Sequence, residues 1–308
     1  MTIQQLEYIL AVDKFRHFAK AADYCGVTQP TLSAMVQKLE DELGVKLFDR
    51  HVQPVVPTPI GIKILKQAKQ VKLQVSQVKE IVYAEKLSLS GVLRLGVLPT
   101  IAPYLLPRFF PQLTSKYPEI DIRVIEKQTH QIEKALLCDD IDVAITATQP
   151  GNPDLLEEFL FYEEFMGYVS PNEPSYKNDL VKTSEVNAEH LWLLDEGHCF
   201  RDQLMRFCQQ EAVKLNQIRY QLGSLETFMR MVESGHGITF IPELAVKQLV
   251  DNQRDYLRPF AIPRPVRQIR LIYHKNYVRR NLLELLVKEI QASVPQEMLS
   301  LKPVQTLV

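Results

Sequence analysis

The 308-residue chain lacks net charge: 36 Lys and Arg stand against 37 Asp and Glu, a formal balance of -1. No global basic field is present, so contact with nucleic acid must come from a local surface. Long apolar runs are missing as well, and the opening Met1-Thr2-Ile3-Gln4-Gln5 carries no basic, then apolar, then small-residue leader pattern. No run reaches the ~20 apolar residues that cross a bilayer, so a cytoplasmic protein without a membrane partner is expected. Cysteine is scarce. Four in 308 residues make no disulfide framework, and in a reducing compartment a bond between two of them is more often transient or sensing than structural. The nearest pair, Cys199 and Cys208, has the wrong spacing for a zinc knuckle or a Cys-x-x-Cys oxidoreductase. No metal ligand set and no cofactor are expected.

What is present begins with helices. Ile3, Leu6, Ile9 and Leu10 recur at helical spacing, and Phe15, Phe18, Ala19, Ala21 and Ala22 suggest a second helix ended by Gly26. Thr28 can cap a third, with Pro30 in its first turn, where a missing N–H costs little. Leu32, Met35, Val36, Leu39 and Leu43 line one face of that helix and leave Gln29, Thr31, Ser33, Gln37 and Lys38 outside. A helix pair of this kind, the second opening with small polar residues, fits a helix-turn-helix whose recognition helix meets base edges and phosphates. It equally fits any helical pair with a polar face.

A short wing is expected next, from Leu47-Phe48-Asp49-Arg50 through a Pro-rich turn to Pro57. Thr58 and Pro59 then open a long helix reaching about residue 87. Ile64, Ala68, Val71, Val75, Val78 and Val82 recur three and four apart along it, a heptad seam suited to two-stranded pairing with a second copy. Packing on its own chain is the alternative. Residues 1–90 hold 12 Lys and Arg against 9 Asp and Glu, a local balance of +3 that fits DNA contact.

After Gly91 the period changes. β-rich runs at 93–97, 120–125, 143–146, 165–169, 191–194, 218–222, 238–241 and 269–273 alternate with helical stretches at 103–117, 131–137, 225–234 and 280–293. Such alternation predicts an α/β domain with a mostly parallel sheet covered on both faces. Ligands in open α/β sheets sit beyond the carboxyl ends of strands, where helix N-termini point. Thr100, Thr129 and the His198-Cys199 pair all fall at such junctions, as pocket residues or as ordinary helix caps. A helix start and neighbouring cations, with Arg201 two residues on, would lower the pKa of Cys199 and expose a thiolate to oxidation. Two buried small hydrophobes are the plain alternative for the pair, and Cys25 and Cys138 keep that reading. If 199–208 were helical throughout, the two sulfurs would lie about 180° apart around the axis and about 13.5 Å apart along it. A disulfide needs Cα atoms within about 7 Å, so a bond between them would require local refolding.

Ala21-Ala22, Val27-Thr28-Gln29-Pro30-Thr31-Leu32-Ser33, Lys38-Leu39-Glu40-Asp41-Glu42-Leu43-Gly44, Leu47-Phe48-Asp49-Arg50 and Thr58-x-x-Gly61 resemble the DNA-binding domain of LysR-type transcriptional regulators. The wing departs from relatives in carrying Gln53-Pro54 where Arg or Lys is common. Asp195 to Gln203, Phe207-Cys208, Pro99-Thr100, Pro103 to Pro107, Gln128 to Gln131, Ser224 to Thr227, Gly237-Ile238-Thr239 and Arg267 are similar to the hydrogen-peroxide-sensing branch of that family.

The resemblance implies a multidomain chain: an all-α winged helix-turn-helix at 1–58, a dimerisation linker helix at 59–90, and a periplasmic-binding-protein-like effector domain at 91–308. That last domain would comprise subdomain I (about 91–162 and 268–308) and subdomain II (about 163–267). DNA would be met by Thr28, Gln29, Pro30, Thr31, Ser33, Gln37, Lys38 and Arg50. Cys199 would be the peroxidatic thiol, Cys208 the resolving one, and Thr100, Thr129, His198 and Arg267 the peroxide pocket. Implied partners are double-stranded DNA, a second copy through the linker and a tetramer beyond it, with RNA polymerase a further candidate. The expected function is regulation of oxidative-stress genes through a reversible Cys199–Cys208 disulfide. Its competitors are a regulator answering a small organic effector in the same crevice and, from another class, a thiol peroxidase.

Overall fold

Thr2 starts the first element: its hydroxyl accepts from the Gln5 N–H while the Gln5 side chain accepts from the Thr2 N–H, a reciprocal cap that satisfies two orphan donors. The computed structural model describes residues 1–85, 89–183, 186, 190–194, 198–208 and 224–308, and the chain divides into two units, Met1–Lys86 and Leu87–Val308. In the first unit α1 (Ile3–Phe15), α2 (Phe18–Tyr24) and α3 (Gln29–Leu43) precede a two-stranded wing, β1 (Phe48–Asp49) paired antiparallel with β2 (Val56–Pro57), and then α4 (Pro59–Glu85). Phe15, expected in the second helix, instead closes the first. The chain turns at Arg16, whose φ of 52° is left-handed and whose N–H caps Val12 O at 2.8 Å.

Thr58 caps α4 by accepting from the Gly61 N–H at 3.0 Å and donates its hydroxyl to Lys46 O at 2.7 Å. Only glycine fits at 61, because a Cβ there would stand 2.1 Å from the Leu47 carbonyl oxygen. The expected heptad seam splits. Ile64, Leu65, Ala68 and Val71 pack into the unit's own core with Leu6, Ile9 and Val12, whereas Val78 is 64% exposed. The first half of the seam therefore answers to the intrachain alternative, since α1 lies along it. Val82 and residues 86–88 fall outside the described side chains.

The second unit has one continuous core. Its strands are β3 (Gly91–Val97), β4 (Ile120–Glu126), β5 (Val143–Thr146), β6 (Leu155–Val169), β7 (Ile238–Pro242), β8 (Leu257–Pro259), β9 (Arg264–His274) and β10 (Gln305–Leu307). Helices α5 (Ala102–Lys116), α6 (Thr129–Leu137), α7 (Cys199–Phe207), α8 (Leu225–Glu233), α9 (Glu243–Val246), α10 (Asp251–Arg254) and α11 (Arg280–Ser293) fall between strands or against them.

The mostly parallel sheet is not found. β3 pairs parallel with β4 and β5, and β10 parallel with β9, but β9 runs antiparallel to β5 and β6, and β6 antiparallel to β7 and β8. β6 and β9 are longer than the sequence suggests because their first halves are charged. Cross-strand partners explain the charge: Arg270 pairs with Glu157, and the Tyr273 hydroxyl donates to Glu158 at 3.0 Å. The run 191–194 is no strand either, and only Leu191 bridges to Ile238. The expected strand at 218–222 lies outside the described residues.

The first part of β6 pairs with β9 and its last five residues, 165–169, pair with β7. A bulge between Phe159 and Phe161 sets the register of the β6–β9 ladder. Without it, continuing the Phe159↔Arg270 pairing would bring Tyr162 opposite Arg267; with it, Glu163 stands there.

Candidate functional site

Cys199 is the first residue of α7, His198 its cap residue, and Cys208 the residue that closes it. The helix is continuous between them, so the end-to-end geometry expected of the sequence holds: about 13.5 Å of axial rise and about half a turn separate the sulfurs. Both thiols are free and buried. Phe200 anchors the start of α7, its ring 4.9 Å from Phe165, and Phe207 its end, edge-on to Phe260 at 5.7 Å. Gln203 ties the middle by donating its amide N–H to Ala147 O at 3.0 Å and Val308 O at 3.3 Å. Residues 195–197, also part of the quoted redox segment, lie outside the described residues.

The expected activation of Cys199 is overturned in its sign. Burial pushes the thiol up, and outweighs the opposing influence of the Thr129 hydroxyl and the Arg267 charge. The acting cation comes from β9 rather than from Arg201. Burial likewise pushes Cys208 up to about 11. Among the described residues the buried Thr129 hydroxyl has no hydrogen-bond partner of good geometry, yet it stands close enough to Cys199 to favour its thiolate. Thr129 opens α6, and its neighbour Gln128 offers a side-chain amide N–H to His198 Nε2 at 3.1 Å. The cap residues of α6 and α7 are thereby joined, which holds Thr129 and Cys199 side by side.

Arg267 is 0% exposed. Its Nη1 donates to Thr100 Oγ1 at 3.1 Å and Nη2 to Thr100 O at 3.0 Å, while Nε meets Glu163 Oε2 at 2.9 Å and Nη2 meets the same oxygen at 2.7 Å. Phe200 and Phe165 pack against the guanidinium, 5.0 and 5.7 Å from its carbon. Thr100, Thr129, Cys199 and Arg267 are thus gathered on one locus, and His198 joins it through Gln128. Cys208 is not, being at the far end of α7. Gln128 lies in the quoted stretch 128–131 without having been singled out, and Glu163 carries no motif of its own; the available signal for it was that a buried arginine in a strand demands a carboxylate opposite.

In the first unit Thr28, Gln29, Pro30, Thr31 and Lys38 are exposed, with Ser33 and Gln37 half-buried on the same helix. Thr28 caps α3 by accepting from the Thr31 N–H at 3.4 Å. Gln37 donates to Asp41 at 2.6 Å. Arg50 is held against α3 by Ser33 Oγ at 3.2 Å and Glu40 Oε2 at 3.1 Å, with its guanidinium carbon 4.9 Å from the Phe18 ring. Glu40 is 1% exposed and also accepts the Leu47 and Phe48 N–H groups at 2.8 and 3.3 Å and Lys46 Nζ at 3.4 Å. The Glu40 carboxylate, with Ser33 Oγ beside it, fastens the wing to α3.

The family model described as bacterial regulatory helix-turn-helix protein, lysR family, matches residues 3–62, and the LysR substrate binding domain matches residues 87–295. The chain belongs to the LysR family of transcriptional regulators. Within that family it closely resembles OxyR, the hydrogen-peroxide sensor. It is 36% identical to the hydrogen peroxide-inducible genes activator of Haemophilus influenzae over 96% of this chain and 97% of that protein. Against OxyR from Porphyromonas gingivalis the TM-score is 0.67 at 50% identity, covering 71% of this chain and 99% of that one. Against a full-length OxyR variant from Pseudomonas aeruginosa it is 0.75 at 34% identity, covering 96% and 99%. Among the described residues no helix is long and apolar enough to cross a membrane.

Proposed function

We propose that this chain is a DNA-binding transcriptional regulator that senses hydrogen peroxide through Cys199 and Cys208 and controls oxidative-stress genes. The observation that carries the reading is the placement of Cys199 at the start of α7, beside the unsatisfied Thr129 hydroxyl and the Arg267–Thr100 pair. A small polar oxidant suits that locus, since buried donors are present there. Attack of the Cys199 thiolate on peroxide forms the S–O bond and breaks O–O, giving a sulfenic acid. The leaving oxygen takes the electron pair and a proton and departs as water. Cys208 then displaces the sulfenic hydroxyl as a second water, which joins the two sulfurs.

That second step needs Cα atoms within about 7 Å, so α7 must unwind and lose its Phe200, Gln203 and Phe207 anchors. A bond closed against those contacts is strained and therefore readily reduced, which resets the sensor. The DNA-facing residues are Thr28, Gln29, Pro30, Thr31, Ser33, Gln37, Lys38 and Arg50. Pairing with a second copy falls to the distal part of α4, supported by the exposed Val78, and the proposed subdomains are I (about 91–162 and 268–308) and II (about 163–267). A regulator turns over once per signal, which separates it from a thiol peroxidase.

The test is a peptide map of peroxide-treated protein under non-reducing conditions, alongside a DNA footprint of reduced and treated protein at fixed salt. A Cys199–Cys208 peptide and a shifted footprint are expected. A Cys199→Ser variant whose footprint still shifts with peroxide ends the reading.

A further inference from the structure

The Arg267 guanidinium has five N–H groups. Among the described residues, Glu163 Oε2 accepts the Nε N–H and stands in ion-pair contact with Nη2, the Thr100 carbonyl accepts one N–H from Nη2, and the Thr100 hydroxyl accepts one from Nη1. Nη1 keeps one N–H, on the same nitrogen that holds the Thr100 side chain, while the second of Nη2 belongs to the ion-pair contact. The carboxylate that fixes this plane is itself over-determined. Glu163 side-chain exposure is 2%, its other oxygen accepts the Leu244 N–H at 3.3 Å, and the β6–β9 register sets its Cα directly opposite that of Arg267. That register exists only because of the bulge at 159–161.

We propose that Glu163 is a positioning residue for the oxidation of Cys199: it holds Arg267 in one orientation and so presents the remaining Nη1 N–H to the peroxide. The inference rests on the peroxide-sensing function proposed above. In the reaction the Sγ–O bond forms, the O–O bond breaks, sulfur gives up two electrons, and the departing oxygen receives them with a proton. The guanidinium stays protonated and donates a hydrogen bond to that oxygen as its charge develops, the moment at which a preorganised donor helps most. Phe165 and Phe200 exclude water from the guanidinium faces but cannot set its rotation in its own plane. A carboxylate oxygen set between Nε and Nη2, with its partner oxygen tied to the Leu244 N–H, does. The same carboxylate offsets part of the positive charge that favours the Cys199 thiolate.

Two consequences of opposite sign follow, and together they separate positioning from a merely structural role. The experiment uses the full chain in a Cys208→Ser background, so that the sulfenic acid accumulates and can be trapped with a dione. The second-order rate of Cys199 oxidation by hydrogen peroxide is measured from pH 6 to 9. Glu163→Gln removes the charge and leaves one acceptor oxygen where Arg267 and the Leu244 N–H each have their own, so the tie that fixes the guanidinium is loosened. The maximal rate is expected to fall roughly 10- to 100-fold, as for a displaced catalytic donor, while the rising limb of the pH profile moves to lower pH. In an Arg267→Met background the same substitution should leave the maximal rate unchanged. A folded Glu163→Gln protein with the parent's rate and limb overturns the inference, as does an equal rate loss with and without Arg267. If Glu163→Gln does not fold, Glu163→Asp keeps the charge and withdraws the carboxylate; its rate should fall with the limb unmoved, and the parent's rate there overturns the inference equally. Failure of the parent Cys199 to react with peroxide would instead overturn the sensing function itself.

Discussion

Glu40 sits in the last turn of α3 with its side chain fully out of solvent, and four donors converge on it from residues 46 to 50. In the sequence it reads as one of three consecutive acids, Glu40-Asp41-Glu42, and nothing marks it from its exposed neighbours except that it falls one position after the buried Leu39. Arg50 was legible as a cation beside the wing, but its tie to Glu40 was not, because a contact ten residues apart depends on how tightly the turn at Gly44 returns the chain. Replacing Glu40 by Gln can keep the oxygen that serves the two backbone N–H groups, but it turns Oε2, which accepts from Arg50 and Lys46, into a donor and releases both. A loss of roughly 2–3 kcal/mol is expected, the scale of hydrogen bonds to a buried charged group. Thermal unfolding of residues 1–86 within the whole chain reads it. DNA affinity should fall with it because Arg50 loses its fixed position, and a variant with unchanged melting temperature and affinity would remove Glu40 from its organising role.

At the scale of elements, helices were easier to foresee than strands. α11 coincides with its expected span, and α6 and α8 differ from theirs by a residue or two at one end, since helical periodicity and caps are local signals. β6 and β9 were seen only in their apolar halves; the remainder is stabilised by cross-strand charges that no single segment reveals. The run around α7 was legible in its chemistry but not in its polarity. Nearby cations suggested a lowered thiol pKa, yet depth of burial, a property of the whole packed unit, reverses the sign. The consequence for stability can be worked out. A thiol whose folded pKa exceeds its unfolded value, about 8.5, favours the folded state below that value and loses the contribution as pH rises through the window up to the folded pKa. For Cys208 that window reaches about 11. The melting temperature of the reduced protein should therefore decline from about pH 8.5 upward, and Cys208→Ala should flatten the decline. Equal slopes in both proteins would place the alkaline weakness elsewhere.

For the whole molecule, what matters is that the two chemistries occupy separate cores. The helix proposed to meet DNA belongs to the unit Met1–Lys86, packed around Leu6, Ile9, Leu32 and Val36, and Cys199 and Cys208 with the residues around them belong to Leu87–Val308. Every hydrogen bond described at the Cys199 locus, from Gln128 to His198, Thr100 to Arg267 and Arg267 to Glu163, joins residues of the second unit. The same holds for the three anchors of α7. Oxidation should therefore need nothing from the first unit, whereas a change on DNA needs both. Residues 87–308 expressed alone should react with peroxide within about twofold of the full-chain rate and yield the same Cys199–Cys208 peptide, while showing no salt-dependent affinity for DNA. Stopped-flow oxidation of the two proteins side by side decides it. A rate that collapses when residues 1–86 are removed, in a fragment whose near-ultraviolet circular dichroism is native, would mean that the first unit shapes the thiol pocket. The division of labour would then have to be redrawn so that sensing and DNA contact share one cooperative structure.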